Sequence, residues 1–395
     1  MAPGANAPLL PGRYGRGVEL LSDRRAFLLR SGLGGVAWAL ARCGYYPAES
    51  GAAYAPWDYP GDESIPERRI ARAALLAASP HNTQPWLFEL SATELKVWAD
   101  HRQALGPMDP LGRELYLGLG AAVENAAIAA RALGKTPTVR WFPSAEADHV
   151  ATIGLAEGST EEAEPLEPFI AQRRTHRGQY LEGAPLPGLE AAIAGLVDDP
   201  FVSAQVLSTP EDRTRFMDAT VAATEAIVAD PEMNEASHRW WRGTRDDLEA
   251  HRDGLTPDAT GLDGSLRGLS KITATDAAAA GRYWIDGQNG RQRSCSAVVL
   301  LSTRARDDRQ QQLRAGRIFQ RLHLWATQQG LALQPQNQLP ERQDREQQLA
   351  LEPVYTRALE ALVGGPSRVQ MVFRLGYAFD EAKQSPRRPL EWVLR

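Results

Sequence analysis

Two glycine-bounded stretches constrain this chain more than any other feature. "GAAVENAAIAARALG" (120–134) and "GRIFQRLHLWATQQG" (316–330) have equal length and lie 196 residues apart. At that offset Gly120 matches Gly316, Ala130 matches Ala326 and Gly134 matches Gly330; Glu124 falls on Gln320 and Ile128 on Leu324. Small and apolar residues at helical spacing, closed by a glycine, predict a helix with a glycine cap. Any two capped amphipathic helices share part of this pattern, so the flanking elements matter. Short apolar runs surround both: "WLFEL", "LKVWAD", "VRWF" and "ATIGL", then "VSAQVLS", "AVVLLST" and "VQMVFRLGYAF". These read as strands. They mix with helices without the strict alternation of a doubly wound sheet, which predicts antiparallel pairing. The expected class is α+β, with two related halves in tandem.

Composition narrows the function. With 395 residues, 43% hydrophobic and 24% charged, the chain has the balance of a globular protein with a large core. A net charge of -5 gives no reason to expect a nucleic-acid partner. Two cysteines, Cys43 and Cys295, supply no disulfide framework. Seven scattered histidines show no HExxH pairing, so no metal is expected.

"SDRRAFLLRSGLGGVAWALARC" (22–43) places Arg24 and Arg25 before Phe27 and Leu28, followed by a short apolar stretch. It resembles a twin-arginine export signal and is too short to span a bilayer. An uncleaved amphipathic helix is the alternative. Residues 1–43 are therefore read as a signal region and 44–64 as a Pro/Gly/Tyr-rich linker. A first half spans 65–165 and a second 166–395. Residues 231–262 read as a helical insertion that forms a lid, through Trp240 and Trp241. "ERQDREQQLALEPVYTRALEALVG" (341–364) reads as a solvated, polar-faced helix.

Two further motifs carry chemistry. "SPHNTQPW" (79–86) packs hydrogen-bonding side chains between prolines, as either a self-satisfied Asx turn or a loop built to grip a polar ligand. "RRTHRGQY" (173–180) gathers Arg173, Arg174 and Arg177 around Thr175. Planar guanidinium groups suit a phosphate monoester, although an arginine run is alternatively solvated surface. Together these motifs resemble the nitroreductase superfamily, with its flavin-gripping Asn-x-Gln-Pro-Trp loop, arginine motif and central dimer helix. "SPRRPLEWVL" is similar to that superfamily's basic C-terminal segment. In ordinary members the arginine motif comes first; here it follows the Asn motif. That order resembles the Acg-like branch, with two nitroreductase-like halves fused in one chain. The resemblance covers roughly residues 65–395.

The resemblance implies a single-chain pseudo-dimer holding one FMN, because each half keeps one motif. Where a second Asn loop would stand, the second half has only "DDPFVSAQ" (198–205). It also implies phosphate contacts from Arg173, Arg174, Thr175 and Arg177, completed by Arg387 and Arg388. Ser79, Pro80 and His81 would run beneath the ring, and Asn82 would reach the ribityl chain or pyrimidine edge. Gln334 and Gln336, in "LALQPQNQ", would pass the pyrimidine. Gln84 and Trp86 are expected to hold the loop, Arg113 to form a structural salt bridge and His176 to lie on the surface. The implied function is an FMN-dependent oxidoreductase acting on a small-molecule substrate or electron acceptor. No catalytic side chain is required, since the chemistry would be the flavin's. A quinone or redox protein is the expected donor if the chain is exported, through the twin-arginine machinery, to the periplasm. The alternative is an FMN-sequestering protein with little turnover.

Overall fold

The computed structural model describes residues 46–61, 63–158, 164–262 and 264–395. The twin-arginine region and Cys43 lie outside them. Two four-stranded antiparallel sheets form, each beside one long helix. The first contains β1 (Trp86–Leu90), β2 (Glu94–Ala99), β3 (Lys135–Trp141) and β4 (His149–Glu157), in the order β1-β2-β4-β3. The second contains β5 (Val202–Leu207), β6 (Ala297–Thr303), β7 (Ala332–Pro335) and β8 (Val369–Gly376), in the order β5-β6-β8-β7. The orders are the same, and β2 and β6 each carry a register shift, at Val97/Trp98 and Leu301/Ser302. The expected α+β pair of related halves is what the chain forms. Of the eight strands, β7 escaped the sequence reading: its four residues include Gln334 and Pro335, so no apolar alternation marks it.

In chain order the helices are α1 (Pro66–Leu75), α2 (Arg113–Ala132), α3 (Leu189–Leu196), α4 (Pro210–Ala229), α5 (Pro231–His238) and α6 (Arg245–His251). Then come α7 (Gly264–Leu269), α8 (Ala277–Asn289), α9 (Arg309–Gln328), α10 (Gln338–Leu349), α11 (Val354–Val363) and α12 (Leu390–Val393). The repeated stretches lie in α2 and α9, which cross at the centre. Gly134 and Gly330 close them with φ near 72° and 70°, the left-handed region in which glycine carries no Cβ penalty. Polar pins fix the crossing. Gln320 donates to Asn125 Oδ1 at 2.8 Å, and the buried Glu124 accepts from Arg317 and Arg321, each at 2.7 Å.

The halves exchange segments. The C-terminal residues return to the first half, where Leu390 and Val393 join its core and Arg395 N–H donates to the Phe88 carbonyl at 2.8 Å. The expected linker is anchored through its aromatic residues: Tyr46, Tyr54, Trp57 and Tyr59 are buried in the first core. Its aromatic side chains explain this, since each buries a large apolar area. Residues 341–364 are not one solvated helix but parts of α10 and α11. From Gln338 to Glu346 every residue of α10 is buried, with Asp344 and Arg345 matched by tertiary partners. His176 is likewise not on the surface: it is 5% exposed, hydrogen-bonded to Asp380 and edge-on to Tyr180.

Candidate functional site

Between the halves lies a cavity of about 260 Å³. One wall is the loop before β1. His81, Asn82 and Gln84 there all have positive φ, of 44°, 57° and 55°. Three such residues in one short loop mark stored backbone strain, which persists only where the surroundings hold it. They do so here. Gln84 N–H donates to Ser79 Oγ at 3.0 Å, and its side chain donates to the Arg252 carbonyl at 3.0 Å and accepts from Arg388 N–H at 2.9 Å. Ser79 and Pro80 rest on α2, where a methyl on Gly118 would lie 3.3 Å from Ser79 Cβ and 3.2 Å from Pro80 Cδ.

Asn82 is a junction. Its amide nitrogen donates to the carbonyls of Gly254 (3.1 Å) and Pro386 (2.8 Å), and its oxygen accepts from Arg387. One side chain thus ties together the strained loop, the insertion and the C-terminal segment. The insertion and the segment after it, through α8, contribute Trp241, Leu255, Tyr283 and Trp284 to the lining. His81 meets Ser237 at 2.9 Å, and Arg177 donates to the Ala259 carbonyl at 2.8 Å. The insertion is therefore bonded to both motifs.

The wall beside this loop is cationic. Arg173, Arg174, Arg177 and Arg387 all line the cavity, and none forms an ion pair with a carboxylate among the described residues. Arg173 donates to the Leu76 carbonyl (3.2 Å), Arg174 to the carbonyls of Ala171 (2.8 Å) and Arg173 (2.9 Å), and Arg387 to that of Ala77 (3.2 Å). The Nε atoms of Arg173 and Arg387 have no partner. Burial, then the charges of Arg174 and Arg177, push Arg173 down to about 9. Burial pushes Arg174 and Arg177 down to about 10, and burial with Arg173 and Arg174 pushes Arg387 well down. All that strain belongs to unneutralised positive charge. The same field and burial hold His81 at about 4, so it is neutral near pH 7.

Trp57, which sequence reasoning missed, organises the arginines: the guanidinium carbons of Arg174, Arg387 and Arg173 stand 4.3, 4.8 and 5.9 Å from its ring centroid. Such stacking stabilises guanidinium groups away from water. The aromatic density of "YAPWDYP" was the available signal. Gln292 was missed for want of any motif, as were Glu114 and Glu341, which line the cavity from α2 and α10.

The structure brings Ser79, Pro80, His81, Asn82, Arg173, Arg174, Thr175, Arg177, Gln334 and Arg387 to one cavity. It leaves two expected contacts outside the lining. Gln336 is buried, accepting from Gln288 at 2.7 Å and donating to the Gln292 carbonyl at 3.3 Å. Arg388 is spent on the carbonyls of Gln84 and Trp86, with Asp100 at 3.6 Å. Arg113 is the structural ion pair expected, bonded to Asp344 at 2.8 Å.

No family model matches the chain. It is 34% identical over 137 residues to the protein named "Putative NAD(P)H nitroreductase Rv3131" of Mycobacterium tuberculosis, spanning about two fifths (39%) of that relative's length. It is 27% identical over 337 residues to "Putative NAD(P)H nitroreductase acg" of the same organism, covering 82% of this chain and 94% of the relative. Among solved structures, the FMN and NADPH-dependent nitroreductase NfnB from a Sphigopyxis strain aligns at 21% identity, over 58% of this chain and 97% of that one, with a TM-score of 0.39.

Proposed function

We propose that this chain, which belongs to the nitroreductase superfamily in its Acg-like branch, is an FMN-dependent oxidoreductase with one flavin site per chain. The observation that carries the reading is the set of four guanidinium groups, Arg173 and Arg387 buried and Arg174 and Arg177 half-buried, each without a carboxylate partner among the described residues, facing a cavity walled by a strained polar loop. A buried charge without a counter-charge is costly, and four together are held most economically by a dianion. The terminal phosphate of FMN has that charge, and Arg173, Arg174, Arg177 and Arg387 with the Thr175 hydroxyl would hold it. The Ser79–Asn82 loop would lie against the ring, and Gln334 would reach its polar edge. The flavin, when bound, supplies reversible hydride and electron transfer.

What the chain itself supplies is placement. Hydrogen bonds of the insertion, at Ser237, Arg252 and Gly254, fix the loop. Neutral His81 adds no charge beside the ring. The test is a visible spectrum of the purified full chain, followed by identification and counting of the released cofactor. Near one FMN per chain is expected; a colourless protein that takes up no added FMN would overturn the proposal.

The hydrogen bonds that tie the insertion to both motifs also favour a second reading, an FMN-holding protein with little turnover. Rapid reoxidation of the photoreduced protein by quinones or nitroaromatics supports the enzyme; a flavin inaccessible to every small acceptor supports storage. We further propose that the chain is exported folded by the twin-arginine route, taking electrons from a quinone or redox protein outside the cytoplasm. FMN bound only by the native state must be loaded before transport. Replacing Arg24→Lys with Arg25→Lys should retain a yellow precursor in the cytoplasm. Periplasmic recovery of that double variant would remove the proposal.

A further inference from the structure

The cavity has a second chemical feature on the face formed by α2 and α10. Four carboxyl groups gather there: Asp109, Glu114, Asp344 and Glu341, around only two guanidinium groups, Arg113 and Arg306. Three of the four are accounted for. Asp109 accepts backbone N–H groups from Glu114 (3.1 Å) and Leu115 (2.9 Å). Asp344 takes Arg113 at 2.8 Å and Arg306 at 2.5 Å, and Glu114 takes Arg113 at 3.2 Å. Glu341 is left over. It is 5% exposed, it lines the cavity, and its Oε2 has no hydrogen-bond partner.

A carboxyl group so placed keeps its proton. Burial, followed by the charge of Glu114, drives Glu341 well above the ordinary carboxylate range; Asp109 and Asp344 add to this, and Arg113 only partly opposes it. The charge of Glu114 opposes ionisation of Glu341, and Arg113, bonded to Glu114, favours ionisation of Glu114. The neutral acid is therefore Glu341, whose side chain lines the cavity. Glu114 stands one turn before Gly118, the residue against which Ser79 and Pro80 rest, so the acid faces the same space as the ligand-gripping loop.

We infer that Glu341 is a catalytic acid, delivering its proton to an oxygen of an uncharged quinone or nitro compound seated in the cavity. The inference rests on the oxidoreductase reading above. A quinone that takes a hydride onto one oxygen from a reduced-flavin donor leaves the other oxygen anionic. The Glu341 O–H bond then breaks, a new O–H bond forms on that oxygen, and hydroquinone leaves. Quinone, hydride and one proton are consumed, and the Glu341 carboxylate regains its proton from water. A neutral acid also suits an uncharged carbonyl or nitro oxygen, which meets a donor there.

The experiment uses the full chain as purified, its Glu341→Gln variant and a Glu114→Gln variant. Infrared difference spectra recorded above pH 7, where Glu114 is ionised, should show a carboxylic-acid carbonyl band that Glu341→Gln removes and Glu114→Gln retains. With 2-methyl-1,4-naphthoquinone as acceptor, Glu341→Gln should keep KM within about twofold, since the amide retains shape and a donor. The same variant should lower kcat roughly 10²- to 10⁴-fold, and Glu341→Asp should restore part of the loss. An ionised Glu341 in the infrared arm, or kcat unaltered by Glu341→Gln, would overturn the inference. The infrared arm needs no cofactor, so a colourless protein counts against the proposed function alone.

Discussion

Gly120 and Gly316 each press bare backbone against the opposite helix. A methyl group on Gly120 would overlap the Leu313 carbonyl, and one on Gly316 would overlap the Leu117 carbonyl. Gly120 pairs with Gly316 and Leu117 with Leu313 at the same 196-residue offset, so the contact is a pseudo-twofold axis written in backbone. The site depends on it, because the cavity exists only where the two halves are held at this spacing.

Gly120→Ala or Gly316→Ala should therefore destabilise the protein by about 1–3 kcal/mol or more, as overpacking against rigid backbone does. Gly195→Ala is the control. Gly195 lies within helix α3, where an added Cβ meets nothing within 4 Å, so stability should rise by roughly 0.5–1 kcal/mol. Urea unfolding of the three variants decides the matter; equal effects would remove the axis as the cause.

Arg173→Ala or Arg177→Ala should weaken FMN roughly ten- to a hundred-fold, the loss of a charged hydrogen-bond partner, while barely changing riboflavin. Without flavin the same changes should raise the melting temperature, because each removes a buried charge that no carboxylate neutralises. Titration calorimetry with both flavins and melting curves of the flavin-free protein test the two signs. Parallel losses for both flavins would take these arginines off the phosphate.

Asn82→Ala deletes three hydrogen bonds that join loop, insertion and C-terminal segment. Leaving the buried Gly254 and Pro386 carbonyls without this donor should cost about 1–3 kcal/mol. Faster amide exchange should appear at residues 252–255 and 385–388 before it appears in the sheets. Uniform acceleration over the whole chain would mean that Asn82 serves general stability and not the junction.

Burial, with Asp109 adding to it and Arg113 opposing, pushes Glu114 up to about 7 in the folded chain, against 4.5 ordinarily. Between those values the folded state holds more protons than the unfolded one, so stability falls as pH rises from about 4.5 to about 7. Below that window both states are protonated and no penalty exists; above it the penalty is complete. Glu114→Gln should flatten this slope in urea midpoints measured across the window. A slope that Glu114→Gln leaves intact would assign the dependence to other groups.

The sequence by itself determined the class, the two halves and the motifs. Local and periodic signals carried them: strand runs such as "AVVLLST", glycine caps at Gly134 and Gly330, and the arginine run at 173–177. Tertiary structure alone decided which polar residues go inside. In α10, Asp344 and Arg345 read as part of a solvated face, yet they are buried because Arg113, Arg306 and Asp230 arrive from distant segments to meet them. Trp57 reads as linker until Arg173, Arg174 and Arg387, from two other parts of the chain, stack around it. Arg387 and Arg388 are neighbours of one type, but Arg387 lines the cavity while Arg388 ties down the Gln84 loop. Hydrophobic periodicity is a local property that the chain displays in one dimension. The desolvation cost of a charge depends on what folding brings within a few ångströms of it, and no single segment encodes that.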